Sequence, residues 1–329
     1  GINSNNNTVT INAGGTVGVL QNITAGTAAV NITTTGAGNI DGGGGTISST
    51  NATTGITLNA FGGIGIGATV NTKTDIAGVA TGKLNLTTNG TGSAGDMNLT
   101  EAGPLTFSAS AVTGNINTIF ASVTTGGHSA VLKSTSGPFT IASDANCAAF
   151  CLNNNVTLIT GAGDILLQNT TNPIVFATGT PGLVSAGAIT HTGTAAISGA
   201  ALGARAANTI NLTGATAGNN FTTIAATTSN ATQAISYKSS GAVSVGSVAA
   251  APGFALTNGI STGNGSITIT AGGTIGQTQT ISGTTLTTSS VGGTTLGSAN
   301  TVSTFIASNT TGGNVSLTNS GALALGAIT

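Results

Sequence analysis

Ala234-Ile235-Ser236-Tyr237-Lys238-Ser239-Ser240-Gly241-Ala242-Val243-Ser244-Val245 carries the fold of this chain in miniature. Apolar and small polar residues alternate on both sides of Ser240-Gly241, which reads as two short strands joined by a turn. The same frame recurs at Ala130–Ile141 and Asn314–Leu325. In each copy Ser-Gly marks the turn, with apolar residues six before the glycine and two and four after it. Alternation is also clear in Thr8-Val9-Thr10-Ile11-Asn12, Lys83-Leu84-Asn85-Leu86-Thr87 and Ser266-Ile267-Thr268-Ile269-Thr270, each closed by Gly or Asn. No window has helical periodicity.

The three turn glycines are Gly137, Gly241 and Gly321. Their two spacings are near multiples of a unit of about 20 residues, at the short end of solenoid repeats. In this frame Lys133 falls where Tyr237 and Leu317 keep the alternation. Three short strands and three turns fill such a unit. The expectation is an all-β parallel β-solenoid of roughly 16 rungs, which at about 4.8 Å per rung makes a rod on the order of 75 Å long. It is read as one continuous solenoid, residues 1–329, forming part of a longer chain.

Composition agrees. Among 329 residues there are 53 glycines, no Trp and one Met; 39% are hydrophobic and only 3% charged, for a net charge of −1. Five Lys and Arg leave no basic patch, so nucleic-acid binding is not expected. The apolar content is too high for a disordered chain. No run of about 18 apolar residues occurs, so no membrane-spanning helix is expected.

The run Asn300-Thr301-Val302-Ser303-Thr304-Phe305-Ile306-Ala307, then Gly313-Asn314-Val315-Ser316-Leu317-Thr318-Asn319-Ser320-Gly321-Ala322-Leu323, resembles the shafts of the filamentous haemagglutinin family. These are large exoproteins of bacterial two-partner secretion. The resemblance is compositional along the whole chain and motif-like in about three places. It implies a right-handed parallel β-helix, export from the bacterium, and adhesive or structural work at the cell surface. The family's Asn-Pro-Asn-Gly-Ile-type secretion motif has no counterpart here, so the resemblance concerns the shaft alone.

Few residues offer chemistry. Cys147 and Cys151 are too far apart in a strand, about 13 Å, but one helical turn brings them to about 6 Å, within disulfide reach. With Asp144 as an N-cap, residues 142–155 read as a corner insertion with a short helical turn and a Cys147–Cys151 disulfide. Free thiols and a metal or redox site are the alternatives. His128 and His191 read as surface residues. The acids Asp41, Asp75, Asp96, Glu101, Asp144 and Asp164 are dispersed, although Asp75 and Asp96 are separated by about one rung. No catalytic residue, cofactor or metal site is assigned. Asn22, Asn31, Asn51, Asn85, Asn98, Asn155, Asn169, Asn211 and Asn309 head Asn-x-Ser/Thr triplets and are candidate glycan acceptors. Thr8/Thr10 and Thr268/Thr270 suggest water-ordering ranks, but no fixed period repeats them.

The expected function is therefore structural: the shaft or repeating subunit of an extracellular bacterial filament, fibre or layer, packing against copies of itself or against surface glycans. Carbohydrate binding or cleavage is the second reading, and ice binding the third.

Overall fold

The structure, a computed structural model, describes residues 1–76, 79–80, 83–89, 92–107, 116–118, 129–142, 155–170, 172–176 and 179–329. Among the described residues it is all-β apart from one short 3₁₀ turn, Gly92–Gly95. The chain forms two compact units, Gly1–Gly163 and Asp164–Thr329, each built of stacked parallel rungs.

The first unit shows the plan at its N-terminus. One rung contains the strands Val9–Ala13, Val17–Val19 and Ile23–Thr24; the next contains Val30–Thr34, Ile40–Gly42 and Thr46–Ser48. Each strand pairs in parallel with its counterpart, so that Val9 faces Val30, Val17 faces Ile40 and Ile23 faces Ile47. Three strands and three corners per rung match the expected unit. Period-two alternation sends every second side chain inward. Val30, Ile32, Ile56, Leu58, Leu84 and Leu86 form a wall with no solvent exposure, and each such side chain contributes about 2 kcal/mol by burial.

The second unit repeats this as one inward ladder. Ile165, Ile189, Ile210, Ile235, Ile267, Leu286 and Phe305 stand opposite one another in consecutive rungs. This is parallel β-helix architecture. The shortest rungs are close to the expected unit of about 20 residues, since Ile267 faces Leu286 and Leu286 in turn faces Phe305. Other rungs are longer. The steps from Ile56 to its partner Leu84, and from Ile235 to its partner Ile267, both exceed the basal one. The surplus sits in corner loops and leaves the ladder intact.

The self-similar strings are not equivalent rung positions. Within the second unit Ile235–Ser239 and Val315–Asn319 belong to different sheets. The frame that sets Lys133 against Tyr237 is also one residue out. Ala130, Leu132 and Ser134 point inward and Lys133 outward, just as Ile235, Tyr237 and Ser239 point inward and Lys238 outward. A slip of one residue exchanges the two faces of a strand, so the apparent break at Lys133 disappears.

Corners are closed by buried hydroxyls at strand ends. Thr160 Oγ1 donates to the carbonyl of Gly163 at 2.8 Å, Ser134 Oγ to that of Gly137 at 2.9 Å, Ser185 Oγ to that of Ala188 at 2.9 Å and Thr262 Oγ1 to that of Gly265 at 3.0 Å. An inward Ser or Thr thus satisfies a carbonyl that has left the strand ladder. Gly163, with φ of 98°, takes the left-handed conformation that glycine adopts most cheaply.

The long step from Ile235 to Ile267 includes an antiparallel hairpin, Ser247–Val248 with Thr257–Asn258. Its tip places Phe254 against Val184, Ala201, Ala225 and Val248. The ring lies over the paired glycines Gly182 and Gly203, where a Cβ at Gly203 would come within 2.2 Å of the ring. Arg205 Nη1 donates to Thr257 Oγ1 at 3.3 Å on the same hairpin. Phe254→Ala is expected to destabilise the second unit by about 3 kcal/mol, and Gly203→Val to destabilise it by displacing the ring. Lower urea midpoints followed by far-ultraviolet circular dichroism check both.

Candidate functional site

Three of the acids share one task. Asp41 Oδ1 accepts the amide of Gly67 at 2.9 Å, Asp96 Oδ1 that of Ser129 at 2.7 Å, and Asp164 Oδ1 that of Ala188 at 2.7 Å. The partner lies one rung away each time. Asparagines do the same: Asn22 Oδ1 accepts from Thr46 N, Asn39 Oδ1 from Gly63 N, Asn219 Oδ1 from Ile197 N and Asn300 Oδ1 from Ile281 N. The carboxylates thus replace a missing rung-to-rung backbone acceptor. Asp75 begins an antiparallel strand, Asp75–Ile76, paired with Val79–Ala80, whereas the carbonyl of Asp96 accepts from Ile64 N at 3.0 Å. Asp144 lies outside the described residues. Among the described residues no three His, Cys, Asp or Glu side chains gather to hold a metal ion.

Glu101 is fully buried where the strand Met97–Glu101 meets its corner. Thr72 Oγ1 donates to Oε2 at 2.6 Å; the Thr74 amide and hydroxyl donate to Oε1 at 2.7 and 3.1 Å, and the Gly103 amide at 3.4 Å. Its backbone neighbour in the next rung is Ser134, so Glu101 stands in the row of inward corner hydroxyls. Burial raises its pKa, with the hydrogen bonds from Thr72, Thr74 and Gly103 opposing.

His191 is not at the surface, as its sequence context suggested, but 2% exposed. Its strand, Ile189–His191, pairs so that His191 follows Leu167 and precedes Leu212, Tyr237 and Ile269 in one inward stack. Thr-His-Thr reads as outward polar residues until the register is known. Burial lowers the imidazole pKa from 6.5 to about 4.

The remaining candidates are scattered. Cys147, Cys151, most of the 142–155 insertion and His128 lie outside the described residues. Of the candidate acceptors, Asn22 and Asn155 are exposed, Asn31, Asn51, Asn85, Asn98, Asn211 and Asn309 are half-buried, and Asn169 is buried. Several amide nitrogens already serve the fold: Asn51 Nδ2 donates to Thr27 O, Asn85 Nδ2 to Thr54 O and Asn309 Nδ2 to Gly312 O. A depression of about 450 Å³ in the second unit follows successive corners at Asn264, Gly283, Val302 and Gly321. Its lining is neutral and has no aromatic ring.

If Asp164 is a backbone acceptor, Asp164→Asn keeps the bond to Ala188 and leaves stability nearly unchanged, whereas Asp164→Ala costs about 1–2 kcal/mol. Chemical denaturation of both variants measures this. Buried Glu101 and His191 act in opposite directions. His191 has a depressed folded pKa, so its neutral form favours folding above pH 6.5 and stability is lost as pH falls toward about 4. Glu101 has a raised folded pKa, so its neutral form favours folding at low pH and stability is lost as pH rises through the folded value. His191→Leu is expected to flatten the acid limb of the stability profile, and Glu101→Gln the opposite limb, read from denaturant midpoints across pH.

In comparisons with known proteins, no family model, no curated protein and no solved structure matches this chain.

Proposed function

We propose that this chain is structural material of a bacterial surface filament, fibre or layer, working outside the cell as a shaft or repeating subunit and packing against copies of itself. One observation carries the reading. In each unit, in-register parallel strands enclose a continuous aliphatic ladder, and the described Asp and Asn side chains at the corners extend the hydrogen bonding between rungs. Such a body resists extension and proteolysis because opening a rung breaks several hydrogen bonds together. The likeness to filamentous haemagglutinin shafts points the same way, and with it to export and adhesion.

Low charge supports the packing. With a net charge of −1 over 329 residues, copies repel one another weakly.

Carbohydrate binding is kept as a second reading because the corner depression in the second unit is lined by hydroxyl, amide and backbone groups. Negative-stain microscopy and sedimentation of the native material test the first reading. Filaments or layers are the expected result; a monomer persisting at high concentration overturns it. A glycan array with a reducing-sugar release assay tests the second, and binding without release is expected.

A further inference from the structure

Four consecutive strands of the first unit, Val9–Ala13, Val30–Thr34, Ile56–Ala60 and Leu84–Thr88, stack without a break in register. Thr10, Asn31, Thr57 and Asn85 stand opposite one another, and so do Asn12, Thr33, Asn59 and Thr87. The outward pairs therefore read Thr/Asn, Asn/Thr, Thr/Asn, Asn/Thr. Hydroxyl and amide alternate along each strand and from rung to rung. The pattern is hidden in the sequence because the rungs differ in length: the steps from Val9 to Val30, from Val30 to Ile56 and from Ile56 to Leu84 grow successively longer.

The array is in register, neutral and backed by the core. Its outward positions repeat at about 4.8 Å across rungs and about 6.7 Å along a strand. Beneath it, Ile32, Leu58 and Leu86 are fully buried. Asn85 Nδ2 donates to Thr57 Oγ1 at 3.3 Å, tying adjacent rungs through their side chains. Outward Thr10 and Asn12 are exposed and the other six are half-buried, as expected for the middle of a sheet. All eight positions are uncharged, so the face has no attraction for a charged polymer, and it has no ring on which a sugar would stack.

A ligand for this surface must be neutral, rigid and periodic in two dimensions, and must both donate and accept at each point. We propose that the face binds the surface of crystalline ice. Water in ice donates to the Asn carbonyls and the Thr hydroxyls, and accepts from those hydroxyls and from Asn amides other than that of Asn85, which serves Thr54 O and Thr57 Oγ1. The rung repeat is close to the spacing of like oxygens in the ice lattice. Each contact is weak, but the contacts engage together because the β-helix holds them in place, so their effect multiplies. This activity does not depend on the shaft reading.

The test uses the full chain in a freezing-point osmometer and in an ice-recrystallisation assay. The wild-type protein is expected to depress the freezing point below the melting point and to arrest recrystallisation. Thr33→Tyr and Thr57→Tyr, which raise a ring above the plane, are expected to abolish both effects. Thr268→Tyr, an outward position of the second unit, is expected to retain them. Thr33→Val, which keeps the shape and removes only the hydroxyl, gives a second partial-loss variant should the tyrosine proteins fail to fold by circular dichroism. Absence of freezing-point depression in the wild type overturns the proposal, as does equal loss in Thr268→Tyr. It is also overturned if the face variants change only self-association in sedimentation, or only retention on an insoluble neutral polysaccharide, because the face then serves copies of the chain or a glycan.

Discussion

A backbone amide or carbonyl that leaves a strand must still find a partner, and in a β-helix every rung leaves its strands at several corners. Unpaired buried backbone groups cost as much as lost hydrogen bonds, so corner chemistry sets the residue vocabulary. Inward hydroxyls at Ser134, Thr160, Ser185 and Thr262 close carbonyls. Side-chain oxygens of Asn39, Asn219 and Asp164 take amides from the neighbouring rung. Gly163 and Gly218 supply left-handed turns. The abundance of Gly, Ser, Thr and Asn follows from these corners together with the outward strand faces.

The same stacking explains the scarcity of charge. Parallel rungs place equivalent outward positions about 4.8 Å apart, so a charged position repeated from rung to rung would pile like charges on one another. The strand cations avoid this by having neutral neighbours. Lys133 lies between Thr100 and Ile159, and Arg205 between Val184 and Thr227. Asp164 is held by a backbone amide at a corner. The low charge of the chain therefore reflects its architecture before it reflects any choice of partner.

Much of this was legible from residue order. The short strands, the turn glycines, the parallel β-helix and the length of the basal rung all follow from alternation and turn chemistry. Register was not legible, because the corner loops that separate rungs vary in length and carry little pattern. Without register, His191 in Thr190-His191-Thr192 looked exposed, Lys133 looked like a break in alternation, and the Thr/Asn array between Val9 and Thr88 did not line up. Glu101 resembled one dispersed acid among six, yet it takes the place of a corner hydroxyl. The Phe254 hairpin was missed for a related reason. Its aromatic ring needs glycines at both Gly182 and Gly203, which face each other from adjacent rungs, and each glycine alone reads as an ordinary turn or strand weakness.

Variation is confined to one part of the rung and constancy to another. In the second unit the step from Ile235 to Ile267 is much longer than the step from Ile267 to Leu286, yet Ile or Leu recurs at the same inward position in every rung from Ile165 to Leu286. Loop length changes cheaply, since closure entropy grows only slowly with loop size, whereas a one-residue slip in a strand would expose its whole apolar face. The strands consequently present a lattice that insertions do not disturb, and the corners present variable loops with no effect on that lattice. Functions that require periodicity belong on the strand faces of such a chain. Functions that require individual shape, as in the Phe254 hairpin, belong at its corners.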